Sequence, residues 1–216
     1  MPYRRTENVV RRLAAREHEI LDAAAALARE SGMARVQIAA VAERAGIAAG
    51  TVYRYFPSKS DLIAELIAGL AARELAAMRQ AADAAPGPLS ALAAAIATFA
   101  ARALGMRKLA WAAIAEPVDA EIDALRLDFR QSLAAELETR IRAAIAGGHL
   151  PEQYARVSAP AVIGALMEGL LGPLAPTYDE PAAAREGVQL ATLLSLRALG
   201  VVDARARGLV VQVTLP

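Results

Sequence analysis

Apolar residues recur with the period of an α-helix along most of the chain. The first stripe consists of Ile20, Ala24, Leu27 and Ala28, and its spacing predicts an amphipathic helix over residues 17–31. Similar stripes occur in later segments. The pattern therefore favours an all-α protein.

Two short helices are predicted next. Apolar positions indicate a compact helix over residues 36–45 and another of about two turns that begins near residue 48. Gly46 lies between them, where a residue that tolerates positive φ is favoured. Two short helices joined by a tight, glycine-containing turn are typical of a helix-turn-helix, whose second helix enters the major groove of DNA. Ser58 is then a good N-cap for a long helix that continues to about residue 83.

The remainder of the chain predicts a second helical unit. Pro86-Gly87-Pro88 interrupts the pattern, and Pro160 is expected in the first turn of a later helix. The predicted helices of this unit cover residues 89–104, 108–115, 119–146, 160–171 and 181–199. Residues 208–215 are rich in β-branched side chains and predict either a short strand or a flexible end.

The composition excludes several kinds of site. The chain has no cysteine, so it can form no disulfide, no zinc–thiolate site and no cysteine nucleophile. Its two histidines, His18 and His149, are far apart, and the sequence has no phosphate-cradling glycine loop and no G-x-S-x-G or H-E-x-x-H motif. We therefore expect no metal, no cofactor and no catalytic activity.

The sequence gives no sign of a membrane or secretory address. The charged N-terminus lacks the apolar core of a signal peptide. Pro86-Gly87-Pro88 interrupts the uncharged run at 84–101 and leaves a helix of roughly 20 Å, shorter than the roughly 30 Å of a bilayer core. We expect a cytoplasmic protein with no membrane partner.

Positive charge is concentrated at the N-terminal end. Residues 1–60 contain ten Lys/Arg and six Asp/Glu, whereas residues 61–216 contain fourteen and seventeen. A basic front end fits nucleic-acid binding, although a small excess also fits an ordinary solvated surface. Four arginines precede the predicted first helix and form either an arm that reaches DNA or a disordered tail. They are Arg4, Arg5, Arg11 and Arg12.

The second short helix has the chemistry of a DNA-reading surface. Val52 and Phe56 are four residues apart and can face a small core. The other side chains are hydroxyls, aromatics and cations, which hydrogen-bond phosphates and base edges. These residues are Thr51, Tyr53, Arg54, Tyr55 and Lys59. We therefore predict double-stranded DNA as a partner.

Over about residues 15–65 the sequence resembles the DNA-binding domain of the tetracycline-repressor (TetR) family. The resemblance rests on the Ala45-Gly46-Ile47 turn, the Gly50–Phe56 segment and the Ser58–Leu62 segment. It implies phosphate or base contacts by Thr51, Tyr53, Tyr55 and Lys59, and sequence preference set at Ala49, Gly50 and Arg54. Two positions depart from the family pattern of hydroxyl caps: Gln37, which can still donate its amide to a phosphate, and Ala48, which cannot.

Two of the last helices have surfaces suited to association. Small residues recur every fourth position from Ala161 to Gly169, and leucines form a stripe on the final long helix. Intrachain packing would explain both features equally well, but the resemblance implies a homodimer built on the last two long helices. The predicted interface is Ala161, Ala165, Leu166, Gly169, Leu170, Leu190, Leu193, Leu194 and Arg197.

Large apolar residues in the middle helices could enclose a small molecule. Aromatic and methionine residues at helical spacing are also common in ordinary cores. The apolar candidates are Phe99, Met106, Trp111, Phe129 and Met167, and the candidate polar anchors are Glu116, Arg126 and Arg130.

The sequence thus predicts a ligand-responsive DNA-binding regulator, most simply a repressor released from a palindromic operator by a largely apolar effector. A helix-turn-helix protein without small-molecule control and a helical enzyme or carrier are the alternatives, and the sequence does not distinguish a repressor from an activator. The expected units are a basic arm (1–14), a helix-turn-helix domain (15–62), a ligand-binding and dimerisation domain (63–200) and a tail (201–216).

Overall fold

The computed structural model describes residues 7–116 and 120–213, and in this part of the chain every regular element is helical. This confirms the predicted all-α class. The α-helices are α1 (Glu7–Ser31), α2 (Ile38–Arg44), α3 (Ala49–Tyr55), α4 (Lys59–Asp83), α5 (Pro88–Gly105), α6 (Arg107–Ile114), α7 (Ala120–Ala146), α8 (Ala155–Leu166), α9 (Pro181–Ala198) and α10 (Asp203–Gln212). A 3₁₀ turn (Met33–Arg35) joins α1 to α2, and a π-helical turn (Met167–Leu171) extends α8.

The first three helices form a small head. Ile20, Val41 and Val52 are fully buried and contribute to its core from α1, α2 and α3. Gly46 ends α2 with a φ of 66°, the left-handed conformation that favours glycine. The Ile47 amide then donates to the Ala42 carbonyl at 3.0 Å, which closes the turn before α3. The head is the predicted helix-turn-helix.

Helix α4 connects the head to the larger helical body. Ser58 Oγ accepts a hydrogen bond from the Asp61 amide, and the Asp61 carboxylate accepts one from the Ser58 amide, both at 3.0 Å. This capping box confirms the predicted start of the helix. From there α4 packs along α5 and α7.

Helix α5 is the centre of the body and lies against α4, α7 and α9. It is long and apolar enough to cross a membrane by composition, but 61% of it is buried inside the molecule, as in a core helix. Many of its buried residues are alanines, whose short side chains let neighbouring helices approach closely.

Three sequence predictions about element boundaries are wrong. Helix α1 begins at Glu7, so Arg11 and Arg12 lie on it, whereas Arg4 and Arg5 lie outside the described residues. Helix α8 begins at Ala155, so Pro160 lies inside it rather than in its first turn. Pro160 is exposed, and it has no N–H to donate to the carbonyl four residues earlier.

The C-terminal segment is the third correction. Of residues 208–215, predicted as a strand or a flexible end, residues 208–212 belong to helix α10 (Asp203–Gln212), and residues 214–215 lie outside the described residues. The helix packs on α9 and α5, and Ala206 is fully buried. The Asp203 carboxylate pairs with Arg197 of α9 and with Arg207 one turn further on. These contacts override the β-branched composition, because propensity is a weak preference beside tertiary packing.

Candidate DNA-binding surface and effector cavities

Helix α3 presents the predicted DNA-contacting side chains on the surface of the head. Val52 and Phe56 are buried and anchor the helix, as their spacing predicted. Tyr53 is 53% exposed, and Ala49, Gly50 and Arg54 are also exposed. The side chains of Thr51, Tyr55 and Lys59 are half-buried at the edges of the same surface.

Neither α2 nor α3 has a side-chain cap. Ala48 has no polar group to offer at the start of α3. Gln37 occupies the N-cap of α2, but its side-chain amide donates to the Ala34 carbonyl at 2.9 Å and does not cap the helix. The exposed Gln37 side chain therefore has one amide hydrogen already in use.

A carboxylate from the body holds the start of the 3₁₀ turn in the head. Glu116, just after α6, accepts hydrogen bonds from the amides of Met33 at 2.9 Å and Ala34 at 3.5 Å. The Lys108 ammonium of α6 donates to the Glu30 carbonyl at 3.4 Å. Helix α6 is thus fixed to the head at both ends.

Two cavities in the body contain predicted pocket residues, and one of them, here named the Phe99 cavity, has a volume of about 230 Å³. It lies between α1, α4, α5, α6 and α7, where the alanines Ala103, Ala110 and Ala113 leave space between larger side chains. Three predicted pocket residues line it: Phe99, Met106 and Phe129. Its apolar wall also includes Ala25, Leu70, Leu109 and Ile114, and its charged wall consists of Asp22, Arg29, Arg73, Glu74 and Arg102.

A partly satisfied ion pair lies in the wall of the Phe99 cavity. Arg102 Nε donates to Glu74 Oε2 at 2.8 Å, whereas Glu74 Oε1 is buried and has no hydrogen-bond donor within the described ranges. Burial raises the pKa of Glu74, and its hydrogen bond and ion pair with Arg102 oppose the rise.

The second cavity, here named the Trp111 cavity, encloses about 460 Å³ on the opposite side of α6. Three further predicted pocket residues line it: Trp111, Arg130 and Met167. Arg130 Nε is buried there and has no acceptor among the residues the structure describes. The sequence predicted one pocket, and the structure distributes its residues over two.

The remaining two candidate anchors serve the scaffold. The Arg126 guanidinium is 2% exposed and donates to the Ala112 carbonyl at 2.7 Å, which ties α7 to α6. Glu116 holds the head, as described above. Neither residue lines the Phe99 cavity or the Trp111 cavity.

The head matches a known family. Residues 20–66 fit the family model described as bacterial regulatory proteins, tetR family. Over 53 residues the chain is 55% identical to the HTH-type transcriptional repressor KstR of Rhodococcus jostii, a match that covers 24% of this chain and 25% of that repressor. The chain carries a TetR-family DNA-binding domain.

The chain thus matches about a quarter of the length of this repressor, and the same holds for KstR of Mycobacterium tuberculosis, at 54% identity over 48 residues and 22% of either chain. Both matches cover less than two thirds of the repressor, so they support the DNA-binding domain and not the body.

Solved structures extend the likeness of fold beyond the TetR-family head. A TetR-like regulator from Rhodococcus sp. RHA1 is 25% identical with a TM-score of 0.64, over 86% of this chain and 96% of its own. RolR in complex with resorcinol has a TM-score of 0.68 at 19% identity, over 96% and 98% of the two chains. FadR from Bacillus subtilis in complex with stearoyl-CoA has a TM-score of 0.68 at 22% identity, over 81% and 97%. The last two likenesses concern the fold alone.

The predicted dimer residues divide into an exposed and a buried set. Leu166, Leu170 and Leu193 are buried inside the protomer. Leu190 and Leu194 are 56% and 61% exposed on α9. The rest of the exposed set is Ala161, Ala165, Gly169 and Arg197. We call the exposed residues the α8–α9 face.

Sequence reasoning missed the charged wall of the Phe99 cavity. One signal could have revealed part of it, because Arg102 is the only charged residue between Pro88 and Gly105. A single charge in a long apolar helix requires a buried partner. Its partner Glu74 is 28 residues earlier, a separation that no local pattern discloses.

Proposed function

We propose that this chain is a homodimeric transcription repressor whose affinity for operator DNA falls when a small, mainly apolar molecule occupies its body. The position of α6 carries this proposal. Leu109 and Ile114 of α6 form part of the Phe99 cavity wall, and Glu116 at its end holds the Met33 amide of the head. A ligand that displaces α6 therefore acts on the head through the hydrogen bonds of Glu116 and Lys108.

The α3 surface supplies the DNA contacts in this proposal. The hydroxyl groups of Tyr53, Thr51 and Tyr55 donate hydrogen bonds to phosphates or bases, and Lys59 neutralises a phosphate. Exposed Ala49, Gly50 and Arg54 set sequence preference, and Gln37 adds an amide contact at the edge. Support comes from the exposure of this surface beside the buried anchors Val52 and Phe56.

The α8–α9 face supplies the dimer contact. Its small side chains allow the partner's helices to approach closely, and Leu190 and Leu194 provide apolar area that is otherwise exposed to water. Buried Leu166, Leu170 and Leu193 support that face from inside. A two-fold dimer presents two α3 helices, which matches a palindromic operator.

Release from DNA follows from the spacing of the two heads. Half-sites one helical turn apart require recognition helices about 34–36 Å apart. A movement of α4 or α6 that shifts the α3 helices by a few ångströms therefore prevents both from entering successive major grooves. The effector must bind the released form more tightly than the DNA-bound form. A hundredfold preference corresponds to about 2.7 kcal/mol of coupling.

Relatives support the class of function. The KstR proteins are named as transcriptional repressors, RolR was solved with resorcinol and FadR with stearoyl-CoA. These functions and ligands are those of the relatives themselves. For this chain we infer an effector of small or medium size and action in the cytoplasm, where a bacterial operator is found.

Selection of bound duplexes from a random-sequence DNA pool tests the proposal. The purified full chain is expected to enrich a two-fold symmetric sequence with half-sites one helical turn apart. A variant with Tyr53→Ala and Lys59→Ala is the matched control and should enrich no motif. Enrichment of no motif by the parent protein would contradict the proposal.

A further inference from the structure

Two glutamates of the body, Glu136 and the partly buried Glu74, differ in how their oxygens are satisfied. Glu136 is 7% exposed, and both of its oxygens accept hydrogen bonds, from Arg79 Nε at 2.8 Å and Arg140 Nε at 2.9 Å. Glu74 is 13% exposed, and only Oε2 accepts a hydrogen bond, from Arg102. Its other oxygen is buried without a donor from the described residues. A buried carboxylate oxygen without a donor is costly, which makes Glu74 the exception to explain.

The location of Glu74 supplies the explanation. Glu136 is not part of the Phe99 cavity wall, whereas Glu74 is. We propose that the Phe99 cavity binds an uncharged, mainly apolar molecule whose hydroxyl group donates a hydrogen bond to Glu74 Oε1. This inference rests on the proposed effector site and specifies the chemistry of its ligand.

Size and charge narrow the ligand class. A cavity of roughly 150 Å³ lined by apolar side chains takes a benzene-sized molecule, so the 230 Å³ here suits a ring with a short apolar substituent. Phe99 and Phe129 line the cavity and can pack against such a ring. The charged wall contains three arginines and two acids, and Arg102 already neutralises Glu74, so a cationic ligand gains little. An alkylphenol meets all of these conditions.

The test compares 4-propylphenol with its methyl ether, 4-propylanisole. The two molecules share the ring and the propyl chain, but only the phenol can donate a hydrogen bond. Isothermal titration calorimetry on the full-length protein is expected to give at least tenfold tighter binding for the phenol. Equal affinities, or no binding of the phenol up to millimolar concentration, would overturn the inference.

Glu74→Gln distinguishes donation to Glu74 from other uses of the hydroxyl. Arg102 Nε requires an acceptor, so the glutamine carbonyl must face Arg102 and its NH₂ group takes the place of Oε1. The variant therefore offers a donor where the parent protein offers an acceptor, and the phenol preference should fall below threefold. Glu136→Gln is the matched control and should retain the full preference. A Glu74→Gln protein that keeps the preference would overturn the inference.

The comparison in the parent protein stands even if a variant does not fold, which thermal unfolding of each protein would reveal. A DNA-binding assay with the same two molecules separates this inference from the proposed function. Binding of the phenol without release of DNA supports the hydroxyl site and contradicts ligand control. Release of DNA by both molecules equally supports ligand control and overturns the hydroxyl site.

Discussion

The Glu116 carboxylate accepts a hydrogen bond from the Met33 amide at 2.9 Å and so joins the end of α6 to the head. Gly32 makes this approach possible. Its φ of 81° is a left-handed conformation, and a Cβ atom there would lie 3.1 Å from both oxygens of Glu116. The head and the segment after α6 therefore meet at a contact with little room for a larger side chain at position 32.

Glu116→Ala should destabilise the protein by about 1–2 kcal/mol, since it leaves the Met33 and Ala34 amides without their acceptor. Urea unfolding measures this loss. Glu138→Ala is the control, because within the described part of the chain Glu138 pairs only with Arg142, at i,i+4, and its removal should cost about 0.5 kcal/mol or less. Equal losses for the two variants would count against a special role for Glu116.

Gly32→Ala should also destabilise, by about 1–2 kcal/mol, because alanine must adopt positive φ beside the Glu116 carboxylate. Gly50→Ala is the matched glycine control. A Cβ at Gly50 meets no atom within 4 Å, and alanine is the better helix former. The Gly50→Ala variant should therefore be as stable as the parent protein or more stable. Thermal unfolding of both variants checks the pair, and a harmless Gly32→Ala would refute the steric argument.

Removing DNA-contacting groups should have two distinguishable effects. Tyr53→Phe removes one hydroxyl and should weaken operator binding by about 1–2 kcal/mol. Lys59→Ala should weaken binding to all sequences and lower the salt slope by about one. Fluorescence anisotropy at matched salt measures both. Tyr154→Phe, at a tyrosine 87% exposed near the start of α8, is the control and should bind like the parent.

Gly169→Arg should convert the protein to monomers that bind DNA poorly, since it places a long charge in the α8–α9 face. Sedimentation velocity at micromolar concentration reports the state of assembly. Val211→Arg adds the same charge at an 80% exposed position on α10 and should leave the dimer intact. A monomeric parent protein would show that the α8–α9 face has been misassigned.

The raised pKa of Glu74 predicts a pH dependence of stability. Because burial raises the pKa in the folded state, the folded protein holds this proton more tightly than the unfolded chain. The contribution of Glu74 to stability should therefore fall as pH rises from the ordinary glutamate pKa through the raised value. Urea unfolding of the parent and of Glu74→Gln should show the parent losing stability relative to the variant over this window. A constant difference would contradict the shift.

Local signals explain why the head was largely predictable. The turn at Gly46, the cap at Ser58 and the inward pair Val52 and Phe56 depend on neighbours a few residues away. The structure confirms each of these features. Only the start of α1 was placed ten residues too late, at 17 instead of Glu7.

The body was less predictable because its decisive contacts join distant residues. Glu116 looked like a pocket anchor, yet it serves Met33 in the head, and Arg126 serves a backbone carbonyl. The β-branched composition of residues 208–215 allowed a strand or a flexible end, but residues 208–212 are helical and α10 packs on α9. The division of the predicted pocket by α6 depends on which face of that helix each residue occupies.

Operator affinity with and without a ligand in the Phe99 cavity tests the central claim most directly. The protein would be titrated into a fluorescent duplex carrying its selected palindrome, alone and with 4-propylphenol at a concentration that calorimetry shows to be saturating. The account predicts at least a tenfold loss of affinity, equivalent to about 1.4 kcal/mol of coupling. Unchanged affinity with the cavity filled would contradict control of DNA binding through α6.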